Sequence, residues 1–226
     1  MNLNKTKIVA TIGPASSSRS MLSKLISSGV DVFRINFSHS THKEVKRIVS
    51  DIKALRIEHK KHVSILGDLQ GPKIRIGNVK EGVILKKNDE IVFSTKKVNA
   101  ADENVVHIGY GLFPKDVKKD EKVLVDDGKL ILKVLKTNKL DEVKLLVLQG
   151  GELKSNKGVN LPNTKISLPA LTEKDILDAK FALKNSFDWI ALSFVRSKKD
   201  VIMLKDLIMS ETKHPVPVIS KIEKPQ

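Results

Sequence analysis

The sequence predicts an α/β protein: an incomplete (β/α)8 TIM barrel, with five of its eight strands, interrupted after strand three by an inserted all-β barrel domain. Three observations support this prediction. Apolar strand-like runs alternate with amphipathic helical segments at a spacing of roughly 25 to 30 residues. From about residue 71 to residue 166 the pattern changes to short β-type runs, and it returns near residue 167. The predicted domain segments are therefore 1–70, 71–166 and 167–226.

The first strand–helix units follow one another directly. The run "TKIVATIGP" predicts a strand that ends at Gly-Pro, and "SSSRSMLSKLISSG" predicts a helix with Ser residues as caps and Gly29 as its stop. "DVFRINF" predicts the second strand, and "HVSILGDL" the third. Between them, apolar residues at helical spacing predict a long helix: Val45, Ile48, Val49, Ile52 and Leu55.

The middle of the chain has the pattern of a small β domain. Short runs such as "GVILKKNDEIVFST", "EKVLVDDGKLILKVL" and "EVKLLVLQGG" are separated by turn residues. Beyond "KISLPALTEKD" the strand–helix pattern returns, with Thr172 and Asp175 spaced as a helix capping pair. The predicted helix runs through Ile176, Leu177, Phe181 and Leu183. "DWIALSFV" and "PVPVISKIE" predict the fourth and fifth barrel strands, on either side of a helix over "KKDVIMLKDLIMSE".

Composition narrows the functional classes. The 226 residues include no Cys, and the sequence shows neither a signal-peptide core nor an apolar stretch of ~18 residues. We therefore expect a cytoplasmic protein without disulfides and without a membrane partner. Lys and Arg number 41 against 26 Asp and Glu, a net charge of +15. These cations are scattered along every segment, and a single Tyr and a single Trp are too few for base stacking, so nucleic acid is not an expected partner.

Polar residues collect where the predicted barrel strands end. They are Arg34, Asn36 and Ser38 on strand two, Asp68 on strand three, Ser193 on strand four, and Lys221 and Glu223 on strand five. The period of two places the residues of each strand on one side. Because functional groups of a parallel barrel gather at the carboxyl ends of its strands, we expect these side chains to meet at one rim. Their chemistry suits a phosphorylated ligand and a divalent metal.

Seven motifs carry a resemblance to a known family: "TKIVATIGP", "FRINFSH", "GDLQGPKIR", "KGVNLP", "LPALTEKD", "SFVR" and "SKIE". In order and spacing they resemble the pyruvate kinase family over essentially the whole chain. The resemblance implies a barrel A domain interrupted by a β-barrel B domain, and phosphoryl transfer from phosphoenolpyruvate to ADP, giving pyruvate and ATP in glycolysis. It also implies Mg²⁺ or Mn²⁺ as cofactor and a homotetramer as the full-length form.

The resemblance also implies roles for single residues. Lys221 matches the catalytic lysine, and Glu223 matches a ligand of the divalent metal. Arg34 matches the arginine that binds the substrate phosphate, and Ser193 lines the substrate. Residues that match nucleotide-binding positions are Asn36, His39, Arg75 and Lys157, and those that match the monovalent-cation pocket are Asn36, Ser38 and Asp68. Without the motifs, Lys221 and Glu223 would be an ordinary strand ion pair and Lys157 a solvated lysine.

One departure from the family pattern concerns the monovalent cation. Leu69 and Lys73 stand where the family most often has Thr or Ser and Glu. A fixed ammonium beside the pocket would substitute for a bound cation or repel it. The sequence therefore resembles the K⁺-independent subgroup, with Lys73 as the substitute cation and K⁺ not required.

The position at which the sequence stops adds an expectation about activity. "SKIEKPQ" lies just past the first predicted metal ligand, and the resemblance implies a second carboxylate further on. We therefore expect the 226-residue chain alone to be inactive. Two alternatives stay open: a non-catalytic fragment that binds nucleotides or other polyanions, and a different TIM-barrel enzyme that acts on phosphoenolpyruvate or pyruvate, such as an aldolase or mutase. The inserted β domain with "KGVNLP" argues against the second alternative.

Overall fold

A computed structural model describes residues 5–98 and 104–223. Its strands, numbered in chain order, are β1 (Val9–Thr11), β2 (Val32–Asn36), β3 (Ser64–Asp68), β4 (Ile84–Leu85), β5 (Glu90–Ser94), β6 (Val105–His107), β7 (Lys122–Val125), β8 (Leu130–Thr137), β9 (Glu142–Gln149), β10 (Gly151–Glu152), β11 (Val159–Asn160), β12 (Trp189–Leu192) and β13 (Val218–Ser220). Its helices are α1 (Arg19–Ser27), α2 (His42–His59), α3 (Phe113–Asp116), α4 (Glu173–Lys184) and α5 (Lys198–Glu211).

The described residues divide into two compact units. The first unit combines the parts of the chain before and after the second, within 1–72 and 169–224, and the second unit lies within 73–168. The first unit contains a five-stranded sheet in the order β1-β2-β3-β12-β13, in which every neighbouring pair is parallel. Helices connect these parallel strands, as the sequence pattern predicts, and the prediction of a mixed α/β fold is confirmed.

Buried and partly exposed residues alternate along β2, so one face of this sheet packs on the core and the other does not. Phe33 and Ile35 of β2 are buried in the core, together with apolar side chains of the four long helices. Arg34 and Asn36, between and beyond them, are only partly buried. Because successive side chains of a strand point to opposite faces, the polar residues of β2 lie on the face away from the helices.

The helices of the first unit have caps that the sequence encodes. Thr41 and Glu44 form a capping box at the start of α2, and the predicted pair Thr172 and Asp175 forms one at the start of α4. All five predicted apolar positions of α2 are buried. The predicted helix through Ile176 and Leu183 is present as α4, in which Leu177 is 62% exposed. The buried face of α4 instead contains Asp175, Asp178, Ala179 and Ala182, because its two aspartates form buried hydrogen bonds.

The second unit is built mainly of β-strands. A six-stranded sheet has the order β11-β7-β8-β9-β5-β6, and β10 pairs with β4. Neighbouring strands are antiparallel except β5 and β6, which are parallel. Its separate core contains Phe93, Tyr110, Phe113 and the inward residues of β7 to β9. Across residues 5–98 and 104–223, no helix has both the length and the apolar character that crossing a membrane requires.

Candidate active site

The carboxyl ends of adjacent parallel strands bring two cations onto one carboxylate. Arg34 Nε donates a hydrogen bond of 2.7 Å to Asp68 Oδ2. Lys221 Nζ donates one of 3.0 Å to Asp68 Oδ1. Asn36 pairs in register with Asp68, so β2 and β3 end at the same level. Asp68 is therefore the common counter-ion of two cations whose positions differ by 187 in the sequence.

Asp68 is a buried carboxylate, with 2% of the residue exposed. Burying such a charge is costly unless opposite charges and hydrogen bonds compensate for the lost water. Both cations supply that compensation while remaining partly exposed themselves. Ser193 Oγ donates to Leu69 O at 2.6 Å and accepts from Lys221 Nζ at 2.7 Å. The Lys221 ammonium is thus fixed between a carboxylate and a hydroxyl group.

Glu223 lies beside the same ammonium. Its Oε1 is 3.3 Å from Lys221 Nζ, and its Oε2 accepts a hydrogen bond of 2.9 Å from the N–H of Phe194. The main chain of Lys221 is also paired: its N–H donates to Leu192 O at 3.0 Å, and its O accepts from Val195 N at 3.1 Å. The segment from Leu192 to Val195 therefore positions both Lys221 and Glu223.

A turn with unusual backbone geometry supports this segment. Phe194 has φ of +55°, which costs on the order of 1–3 kcal/mol for a residue other than glycine. Gly71, with φ of +69°, packs against it, and a Cβ there would lie 2.9 Å from Phe194 Cδ2 and 3.1 Å from Ser193 Cβ. The Gly71 N–H donates to the buried Asp175 carboxylate at 3.0 Å. Both the backbone conformation and the close packing therefore require glycine at position 71.

The turn after β2 carries Asn36, Ser38 and His39. β2 ends at Asn36, so Ser38 lies in the turn and the prediction that it shares the strand face with Arg34 is wrong. Asn36 Oδ1 accepts from the Ser38 N–H at 3.0 Å, and Asn36 O accepts from the His39 N–H at 3.2 Å. Such side-chain-to-backbone bonds by Asn stabilise a turn in place of further strand. The His39 side chain is exposed.

Side chains of α4 hold this turn in place. Lys174 Nζ donates to Phe37 O at 2.8 Å and forms an ion pair with Asp178. The buried Asp178 carboxylate also bonds His42 Nε2 at 2.8 Å, at the start of α2. The His42 ring stacks on Phe181, with ring centroids 4.1 Å apart. The turn that carries Asn36, Ser38 and His39 is thus fixed by a helix far along the chain.

Three residues that the sequence assigns to ligand binding belong to the second unit. Lys157 Nζ is 2.9 Å from Asp126 Oδ1, and this hydrogen bond lowers the pKa of Asp126. Arg75 donates to a backbone carbonyl at 2.7 Å, and the residue after Arg75 donates its N–H to Lys157 O at 3.0 Å. Arg75 and Lys157 therefore lie on adjacent segments. Lys73 is exposed at the start of this unit.

The fit of Glu223 to a divalent cation can be judged from its donor atoms. Among the described residues, no group of three or more His, Cys, Asp or Glu side chains could by itself hold a metal ion. Mg²⁺ is usually bound through one or two carboxylates plus substrate phosphates and water, so a dedicated protein cage is not required. Glu223 offers a partly exposed carboxylate, held in place by the Phe194 N–H. It fits a site in which protein and ligand share the coordination.

Two of the three residues of the predicted monovalent-cation pocket, Asn36 and Asp68, accept hydrogen bonds through their side-chain oxygens. Asn36 Oδ1 accepts from a backbone N–H, and both oxygens of Asp68 accept from Arg34 or Lys221. Two side-chain cations at bonding distance from Asp68 also repel a further cation. The side-chain oxygens of Asn36 and Asp68 are thus already engaged by groups of the protein itself.

Sequence reasoning did not identify Phe194, Lys174 or the contact of Asp175 with Gly71. The capping pair Thr172 and Asp175 predicted only the start of a helix. In the structure Asp175 Oδ1 also accepts a hydrogen bond from the N–H of Gly71, 104 positions earlier in the chain. The left-handed conformation of Phe194 has no sequence signal, because aromatic residues rarely adopt it. These contacts depend on tertiary structure.

Paired cations at the carboxyl ends of parallel strands are typical of α/β proteins that bind phosphorylated ligands. Residues 3–226 match the family described as "Pyruvate kinase, barrel domain", and the chain belongs to this family. The predicted resemblance to the family is therefore confirmed.

Curated relatives agree with the family assignment. The chain is similar to the pyruvate kinases of Staphylococcus aureus strains USA300, NCTC 8325 and MRSA252, with 42% identity over 223 residues in each case. The match covers 98% of this chain and 38% of each relative. The chain thus spans less than half the length of the relatives that it matches.

Proposed function

We propose that this chain forms part of a pyruvate kinase that transfers the phosphoryl group of phosphoenolpyruvate to ADP in glycolysis. The main observation that supports this proposal is the cluster at the strand ends, in which Arg34 and Lys221 share the buried Asp68 carboxylate. Fixed positive charge is what a phosphoryl-transfer transition state requires, since charge spreads over the transferred group and the leaving oxygen. Family membership and the names of the relatives support the same reaction.

The proposed reaction divides the site residues by task. Arg34 binds the substrate phosphate, and Ser193 lines the substrate. The bond between phosphorus and the enol oxygen breaks, a bond from phosphorus to an ADP oxygen forms, and the Lys221 ammonium stabilises the departing enolate, which then takes a proton to give pyruvate. Asn36 and His39 contact the nucleotide, as do Arg75 and Lys157 of the second unit.

Glu223 is the residue that would hold Mg²⁺ or Mn²⁺. When bound, that cation would neutralise charge on the phosphate oxygens. We further propose that K⁺ is not required, with Lys73 as the fixed cation that replaces it. The cations already bonded to Asp68 support this proposal, because two positive charges at bonding distance repel a further cation.

We propose that the fold is the first part of a (β/α)8 barrel with an all-β insertion, divided at 1–70, 71–166 and 167–226. The parallel strand order and the two compact units support this division. The proposed setting is the cytoplasm, with a homotetramer as the full-length form. Because the relatives are much longer, we also propose that the 226-residue chain alone is inactive.

The test replaces the matching segment of the Staphylococcus aureus enzyme with this chain and measures pyruvate formation with a lactate-dehydrogenase-coupled assay. The chimera should be active with Mg²⁺ and should not be stimulated by KCl at constant ionic strength. Lys221→Gln should lower kcat about 100-fold or more, whereas Lys205→Gln, on the exposed side of α5, should leave it unchanged. A folded chimera without activity, or a Lys221→Gln variant with more than about a tenth of it, would contradict the proposal.

A second assay addresses the chain by itself. The purified 226-residue chain, given phosphoenolpyruvate, ADP and Mg²⁺, should produce pyruvate no faster than a buffer blank. Clear Mg²⁺-dependent flux would show that the described residues suffice for catalysis and would contradict the proposed requirement for the rest of the relatives' length.

A further inference from the structure

Four lysines of three neighbouring strands lie on the outward face of the six-stranded sheet. Lys122 of β7 stands directly opposite Lys133 of β8, and Lys136 of β8 stands directly opposite Lys144 of β9. Directly opposite residues lie on the same face with Cβ atoms roughly 5 Å apart. We call these four residues the lysine square. Like charges in directly opposite positions are destabilising, so two adjacent lysine pairs need an explanation beyond folding.

A β-bulge places Lys136 in this group. The register between β8 and β9 shifts between Val134 and Lys136, so Leu135 is an extra residue without a direct partner. Val134 is buried and Lys136 is exposed. In a regular strand the alternation would turn residue 136 to the same face as residue 134. The bulge instead turns Lys136 outward and opposite Lys144, and bulges commonly aim a side chain for a function.

The lysine square has more positive charge than its neighbours neutralise. Lys133 is 3.4 Å from an oxygen of Asp120, and Lys144 forms an ion pair with Glu90. Those two carboxylates are 65% and 48% exposed, so both pairs are weak and easily exchanged.

The other two lysines of the square, Lys122 and Lys136, are exposed. Neither Lys122 nor Lys136 forms an ion pair with a carboxylate of the described residues. A further carboxylate on this face, Glu142, lies near Lys96; the hydrogen bond that Lys96 donates to Asp141, and to a smaller extent the charge of Glu142, raise the pKa of Lys96. Two ammonium groups of the square are thus left for an external anion.

The strand-end cluster of the first unit differs in this respect. There, Arg34 and Lys221 face Asp68 and Glu223, so two positive charges balance two negative ones. An anion that binds by charge alone therefore gains more at the lysine square. The two places lie in different compact units and can be separated by substitution.

We propose that the lysine square is a binding site for a compact ligand with several phosphate groups. Lysine ammonium groups are mobile point charges, which suit a multiply charged anion without demanding one orientation. The outward residues of β7 to β9 include no aromatic ring on which a base could stack, so the surface favours a polyphosphate over a nucleic acid strand. The proposal does not depend on the proposed pyruvate kinase activity.

The test is calorimetric titration of the 226-residue chain with inorganic tripolyphosphate. We expect saturable binding that weakens steeply between about 50 and 200 mM salt, because surface charges are screened. Lys122→Gln combined with Lys136→Gln should weaken binding about tenfold, since each lost contact contributes roughly a three- to fivefold factor. Lys199→Gln combined with Lys205→Gln, exposed on α5, removes the same charge and should change the affinity less than about twofold.

Each other outcome overturns the proposal. Absence of saturable binding up to about 1 mM ligand would mean that the square holds no phosphate. Equal weakening by both double variants would show that only the net charge matters. Loss of binding in Lys157→Gln or Lys221→Gln, but not in the double variant of the square, would show that the anion binds at the strand-end cluster or at the proposed nucleotide-binding residues instead. Tighter binding of oligodeoxythymidylate than of tripolyphosphate would identify a nucleic acid surface instead.

Discussion

Replacing Gly71 by alanine tests whether the turn at Phe194 is held in place by packing. Gly71 has φ of +69°, and a Cβ there would lie 2.9 Å from Phe194 Cδ2, 3.1 Å from Ser193 Cβ and 3.2 Å from Ser193 O. The backbone oxygen and the Cβ cannot rotate away as the end of a flexible side chain could. Gly29 offers a matched control in the same unit, because it also has positive φ, +98°, but a Cβ there would meet no described atom within 4 Å.

The expected magnitude follows from two separate costs. An L-residue in the left-handed region costs roughly 1–2 kcal/mol, and both alanine variants have this cost. Overpacking a filled site adds typically 1–3 kcal/mol, and only Gly71→Ala has it. We therefore expect Gly71→Ala to lower the free energy of unfolding by about 2–5 kcal/mol and Gly29→Ala by about 1–2 kcal/mol.

The assay is urea unfolding followed by tryptophan fluorescence. Trp189 is the only tryptophan and lies in β12 of the first unit, so its signal reports on that unit alone. The midpoint should fall further for Gly71→Ala than for Gly29→Ala, with the slope unchanged. Equal shifts in the two variants would refute the reasoning, because they would show that no contact with Phe194 or Ser193 constrains position 71.

Three further predictions concern charge. Asp68→Asn removes the shared counter-ion of the two site cations and should lower the free energy of unfolding by about 3 kcal/mol. Asp51→Asn, which removes surface ion pairs, should lower it by under about 1 kcal/mol. Equal losses of the two variants in urea unfolding would contradict this prediction. Lys157→Gln should raise the pKa of Asp126 towards its usual value, as measured by ¹³C NMR titration. The Asp126 carboxylate stabilises the fold above its unfolded pKa of about 4, and this stability is lost as the pH falls through the lower folded pKa; the substitution should diminish it. An unchanged pKa of Asp126 would argue against the ion pair. Lys136→Gln should raise the thermal midpoint of the second unit at low ionic strength by relieving repulsion, with no gain in about 1 M salt, as followed by tyrosine fluorescence; a gain independent of salt would exclude repulsion as its cause.

The local periodicity of the sequence predicted that Arg34 and Asp68 lie near the ends of strands, but Ser38, Lys221 and Glu223 lie beyond the strands to which it assigned them. Arg34 and Asp68 each follow a short apolar run, and a parallel sheet places the ends of such runs at one level. The structure brings them together with Lys221 through hydrogen bonds. A period of two together with a parallel connection therefore predicted that Arg34 and Asp68 are neighbours.

Periodicity could not predict contacts that depend on how a helix is rotated. The apolar residue Leu177 is exposed on α4, whereas the buried side of this helix carries Asp175 and Asp178. Each aspartate is satisfied by a group far along the chain, Gly71 or His42. A buried carboxylate looks exposed in a sequence, because its compensating partner is not visible there.

Charge balance links the candidate site to its need for a metal. Arg34 and Lys221 carry two positive charges, which Asp68 and Glu223 cancel, so the strand-end cluster has no net charge to attract a phosphate. Because Asp68 is buried and bonded to both cations, its charge cannot be withdrawn without leaving them unpaired. The negative charge of Glu223 is the one that a ligand can neutralise, because a divalent cation bound to its carboxylate would leave the cluster with a net positive charge. Phosphate affinity at the strand ends should therefore depend on the divalent cation.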